Sequence, residues 1–133
     1  MSIESYFFVG DLEQASGSEG RPEVENQSLF YRVMNTSVES LYSILEDGKT
    51  TSLDDVWTNE EYTSMTFAFP TEFVNSLCEL EPSKTNDIVQ KWLSDEDCPY
   101  DNTCDLTELL NSLVKLANVA SNSPSGLYFR MEM

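Results

Sequence analysis

The sequence contains no histidine. That removes the commonest general base near neutral pH and the commonest zinc ligand together. Self-contained Ser-His-Asp triads and Cys/His protease sites are thereby excluded. Positive charge is scarce: 7 lysines and arginines stand against 24 acids, for a net charge of −17. So few bases, scattered along the chain, make no stripe that could track a phosphate backbone, and such a chain repels nucleic acid and anionic membranes. The three cysteines are an odd number that does not read as a disulfide framework. The longest apolar candidate, 109–120, is broken by Asn111, Ser112, Lys115 and Asn118, so no membrane-spanning helix is expected. Met1 to Gly10 lacks a basic start and an apolar signal core, which makes the cytoplasm the expected location. Gly17 and Gly20 lack the strand–helix context of a phosphate-binding loop, and neither a nucleotide fingerprint nor a nucleophile elbow is present.

What the chain does have suits one hydrophobic core. Its 133 residues are 40 % hydrophobic, and no linker or internal repeat divides 1–133. Ile3–Val9 and Leu29–Met34 read as strands, separated by a long polar loop at 10–28 that is expected to be mobile or functional. Val38, Leu41, Tyr42 and Leu45 share one helical face after a cap at Thr36 or Ser37, and Gly48 ends that helix. Ser52 to Asp55 reads as the capping box of a short helix carrying Val56 and Trp57.

Farther on, Met65, Phe67 and Phe69 alternate with small residues as a strand. Helices follow at 72–80 and 86–93, the second capped by Thr85. The strongest helix opens at Asp105 and Glu108 and aligns Leu106, Leu109, Leu110, Leu113, Ala117 and Ala120. Leu127–Met133 alternates again and implies a strand with one less buried face. The expected fold is α/β of the α+β type. It is a two-layer sandwich of about four strands in a mixed sheet, with four or five helices mainly on one face.

The segment SDEDCPYDNTCD, 94–105, packs five carboxylates and two cysteines into twelve residues. It fails the EF-hand pattern: counted from Asp95, the fifth position is Pro99, the sixth is Tyr100 where glycine is needed, and the twelfth is Leu106. Zinc fits no better, because Cys98 and Cys104 are five residues apart and histidine is absent. Neighbouring carboxylates raise thiol pKa values, so neither cysteine reads as an activated nucleophile. A Cys98–Cys104 disulfide is geometrically allowed, though labile in a reducing compartment. No metal site, cofactor site or catalytic residue is therefore expected. The loop's main property is its field: Asp95, Glu96, Asp97, Asp101 and Asp105 surround Tyr100, a candidate aromatic anchor for a basic partner. Asp54, Asp55, Glu60 and Glu61 are expected to join this partner-binding surface from the helical layer, with Glu39, Glu46 and Asp47.

If Ile3, Phe7 and Val9 on the first strand and Leu29, Tyr31 and Val33 on the second face the helices, then Tyr6, Phe8, Phe30, Arg32, Tyr128 and Arg130 lie on the opposite sheet face. Aromatics and arginine favour interfaces. That face is either an open interface, for example for a homodimer, or is covered by a helix or by the 10–28 segment.

By size, charge and lack of catalytic groups, the chain resembles, at the level of class alone, the small acidic proteins with which bacteria and phages block basic partners. These include toxin-immunity proteins, nuclease inhibitors and DNA mimics. The resemblance implies a non-enzymatic binding protein that masks a basic protein partner. The alternatives are a small carboxylate-based metal-dependent enzyme and an accessory domain whose acidity serves only solubility.

Overall fold

The computed structural model describes residues 3–17 and 19–133. Residues 1, 2 and 18, on which the N-terminal and 10–28 expectations partly fall, lie outside the described residues. The chain runs β1 (Glu4–Gly10), α1 (Leu12–Ala15), β2 (Gln27–Tyr31), α2 (Asn35–Leu45), β3 (Asp54–Thr58), β4 (Ser64–Ala68), α3 (Thr71–Glu79), a 3-10 turn (Pro82–Lys84), α4 (Thr85–Leu93), α5 (Thr103–Ser121) and β5 (Gly126–Glu132). The α+β class is as expected. The sheet, however, has five strands in the order β2-β1-β5-β4-β3, and every pairing is antiparallel rather than mixed.

The extra strand is β3. Ser52–Asp55 caps no helix; Asp54–Thr58 extends and pairs with β4, as its β-branched and aromatic residues favour. The hairpin turns through Asn59, whose buried side chain accepts from the Thr63 and Ser64 N–H groups at 2.9 and 3.0 Å. A bulge between Asp55 and Trp57 leaves Val56 without a cross-strand partner.

The longest helix, α5, lies against the sheet, and α3 and α4 pack on it. All six residues expected on its inner face are buried, and Leu116 joins them. Its cap is Asn102, which accepts from the Asp105 N–H at 2.8 Å, one turn earlier than expected. The sheet contributes Phe7, Phe67 and Phe129, which stack side by side at 4.8 and 6.0 Å between centroids. Trp92 is fully buried between the helices and donates its indole N–H to Ser40 Oγ at 3.2 Å. At the end of α2, Asp47 (φ +50°) takes the left-handed position expected of Gly48, which follows at φ +93°.

Strand β2 corrects the expected facing. Phe30 lies opposite Ser5 and packs edge-on against Phe7 at 6.2 Å, so it faces the helices, while Leu29 and Tyr31 turn the other way. The parity breaks at Arg32, whose φ of +63° lets Val33 re-enter the core after an irregular step. Ser5 Oγ holds that step by donating to the Val33 carbonyl at 2.9 Å and accepting its N–H at 3.1 Å.

The opposite sheet face is closed: of the two alternatives, cover by the 10–28 segment is the one found, and the open interface is not. Residues 11–17 and 19–26 fold over it, beginning with α1, where Asp11 and Gln14 form a reciprocal capping box. Ala15 and Val24 pack on Phe8 and Tyr128, and Val56 and Ala68 complete the cluster. At its centre stands Arg130, with no exposed surface. Its Nε donates to Thr66 Oγ1 at 2.9 Å, and its terminal nitrogens donate to the carbonyls of Gly20 (3.0 Å), Ala15 (3.3 Å) and Gln14 (3.4 Å). The guanidinium also lies 5.3 Å from the Phe8 ring centroid. The arginine thus ties the covering segment to the middle of the sheet, and β5 is buried on both faces.

Candidate functional site

The expected site residues fall into three places. Tyr6, Phe8, Tyr128 and Arg130 belong to the covered face and are buried. Burial is the main cause that raises the phenol pKa values of Tyr6 and Tyr128 above 10.0. Burial likewise lowers that of Arg130, with Glu132 opposing.

Asp54 and Asp55 stand exposed on edge strand β3, and Glu60 and Glu61 stand in the β3–β4 turn, not on the helical layer. The acidic loop lies elsewhere. Tyr100 docks on the opposite edge, donating its hydroxyl to the Tyr31 carbonyl of β2 at 2.7 Å. The expected aromatic anchor is thus half-buried and engaged within its own chain. Asp95 and Asp97 line a hollow of about 280 Å³ with Glu39 of α2. Asp95 accepts the Asp97 N–H at 2.9 Å, a local turn. Glu96 and Asp101 are exposed.

All three cysteines are free, so Cys98 and Cys104 do not pair. Cys98 is half-buried against the core, its Sγ 3.0 Å from the Tyr100 carbonyl, and burial raises its thiol pKa. Among the described residues no three His, Cys, Asp or Glu side chains converge as a metal-ligand set. No helix there is long and apolar enough to cross a membrane.

The site that joins both expected sets is a groove of about 570 Å³ between edge strand β2 and the first half of α5. Phe30, Tyr31 and Arg32 form one wall, Tyr100 closes one end, and Asp105, Glu108 and Ser112 form the other wall. The spacing i, i+3, i+7 places these three on one face of α5. Burial is the main cause that raises the Tyr100 phenol pKa. Asp105 adds to it, and the charge of Arg32 opposes it. In the sequence Glu108 reads as part of a capping box, and Ser112 carries no site signal of its own. Their spacing from Asp105 was visible; their neighbour across the groove was not.

No protein-family model, curated protein or solved structure matches the chain.

Proposed function

We propose that this chain is a non-enzymatic acidic binding protein that masks or inhibits a basic partner, in the manner of toxin-immunity proteins, nuclease inhibitors or DNA mimics. The observation that carries the reading is the state of the charge. None of the 24 carboxylates is buried. Among the described residues there is one ion pair, Lys91–Asp87 at 3.2 Å. Nearly all the negative charge therefore lacks a cationic partner among the described residues, and its field extends about a Debye length, roughly 8–10 Å at ordinary salt. Such a field raises encounter rates with cationic surfaces and penalises anionic ones.

The test is affinity capture from lysate at low and moderate salt with nuclease added, followed by association kinetics with the captured protein. A stoichiometric basic protein whose association slows steeply with salt is expected. Replacing Asp95, Asp97 and Asp101 by lysine should slow association further. A rate indifferent to ionic strength overturns the reading.

A further inference from the structure

The two sheet edges are treated differently. The β3 edge carries a bulge and two exposed aspartates, devices that discourage strand addition. The β2 edge has neither: Gln27–Tyr31 contains no charged residue, and its register with β1 is unbroken. Arg32 donates its N–H to the Ile3 carbonyl at 2.8 Å, and Val9 donates to the Asn26 carbonyl at 2.9 Å. Antiparallel alternation then points the backbone groups of Ser28 and Phe30 toward β1, and those of Gln27, Leu29 and Tyr31 outward. The Tyr31 carbonyl already receives the Tyr100 hydroxyl. The Leu29 N–H and carbonyl and the Tyr31 N–H remain on the outer edge, alongside the groove.

We infer that β2 is a docking edge for an extended basic segment of the partner, which adds as a sixth strand. The inference rests on the proposed masking function and names its site. An added strand presents alternate side chains to opposite faces. On the helix side these meet Asp105 and Glu108, which are exposed and form no ion pair. On the other side they meet Leu29 and Tyr31, the latter 49 % exposed. The segment that fits therefore alternates basic with apolar, β-favouring residues. Arg32, the one base in the groove wall, disfavours a positive charge at the end near Tyr100 and sets the register.

The probe is a fluorescent ten-residue peptide of alternating arginine and valine, compared with an equally charged peptide of alternating arginine and glycine. The expected result is at least tenfold tighter binding of the valine peptide, with slowed amide exchange at Leu29 and Tyr31. Leu29→Pro removes an outward donor without breaking a β1 bond and should abolish that preference. Glu108→Lys should weaken binding at least fivefold, while Glu81→Lys, at an exposed acid outside the groove, should change it less than twofold. Circular dichroism checks that each variant folds. Equal binding of both peptides without local protection overturns the docking edge while leaving charge masking intact. Binding of neither peptide also overturns the edge, and the capture experiment then judges masking separately.

Discussion

Replacing Arg130 by methionine keeps an unbranched apolar stem beneath residues 11–26 but removes every donor that holds them. Two of the lost bonds are short, to Thr66 Oγ1 at 2.9 Å and the Gly20 carbonyl at 3.0 Å. The other two, at 3.3 and 3.4 Å, are weaker and share the same end of the guanidinium. A bond to a charged donor contributes about 1.5–3 kcal/mol, so the short pair alone amounts to at least about 3 kcal/mol. Relief of the buried guanidinium's desolvation offsets part of this, and the carbonyls left without donors add to it. The expected net loss is about 3 kcal/mol. For a domain of this size that is a fall in melting temperature of about 10 °C and a urea midpoint lower by roughly 2 M.

The segment itself supplies a second readout. Released from Arg130, 11–26 keeps Ala15 and Val24 as its apolar contacts on the sheet, so a Glu-specific protease should cut it well before global unfolding. Arg130→Lys retains the charge but cannot serve these dispersed acceptors with a planar fork, and should fall between wild type and methionine. A methionine variant within about 0.5 kcal/mol of wild type, with 11–26 still resistant, would refute the clamp.

Three further outcomes are expected. Tyr6, Tyr100 and Tyr128 all have folded-state pKa values raised above the ordinary 10.0, chiefly by burial. Their protonated forms are favoured in the fold, so this contribution is complete below pH 10 and is lost as pH rises through the raised values. Urea midpoints should hold up to pH 10 and fall as pH rises beyond it, and less so in Tyr100→Phe; a midpoint that rises above pH 10 contradicts the assignment. With a net charge of −17 and one ion pair among the described residues, self-repulsion dominates the surface electrostatics. Sodium chloride at about 0.3 M should therefore raise the melting temperature, and a fall would show that attractive pairs outweigh repulsion. Iodoacetamide should label exposed Cys104 before half-buried Cys98, read by peptide mass spectrometry, and the reverse order would contradict the packing of the 94–102 loop.

The parts legible in sequence are those fixed by local periodicity. The inner face of α5 and the alternation of β1, β4 and β5 could be read directly, because every residue in those patterns answers to one continuous element. Three features were decided elsewhere. Ser52–Asp55 has the spacing of a helix cap, but pairing with β4, a nonlocal gain, makes the residues from Asp54 on a strand. The facing of β2 turns on one left-handed residue, Arg32, which no hydrophobic pattern announces. Alternation in β5 gave the two faces of the strand correctly, yet polarity suggested water where a polar segment is the cover; Arg130 satisfies backbone carbonyls there instead. The candidate groove was half legible. Tyr100 and Asp105 were singled out together, but the edge they sit beside is a product of strand order, and strand order leaves no local trace.

That order has a temporal consequence. β5 is the last described element to be synthesised, yet it stands in the middle of the sheet, with β1 on one side and β4 on the other. Until it emerges from the ribosome, the pair β1–β2 and the pair β3–β4 are two separate hairpin-like ribbons. Each has an unpaired inner edge, and α5 has no complete floor to rest on. Until then the nascent chain lacks the strand that pairs with the inner edges of β1 and β4. Its abundant like charge is well suited to keeping one unfinished copy from completing its sheet with another.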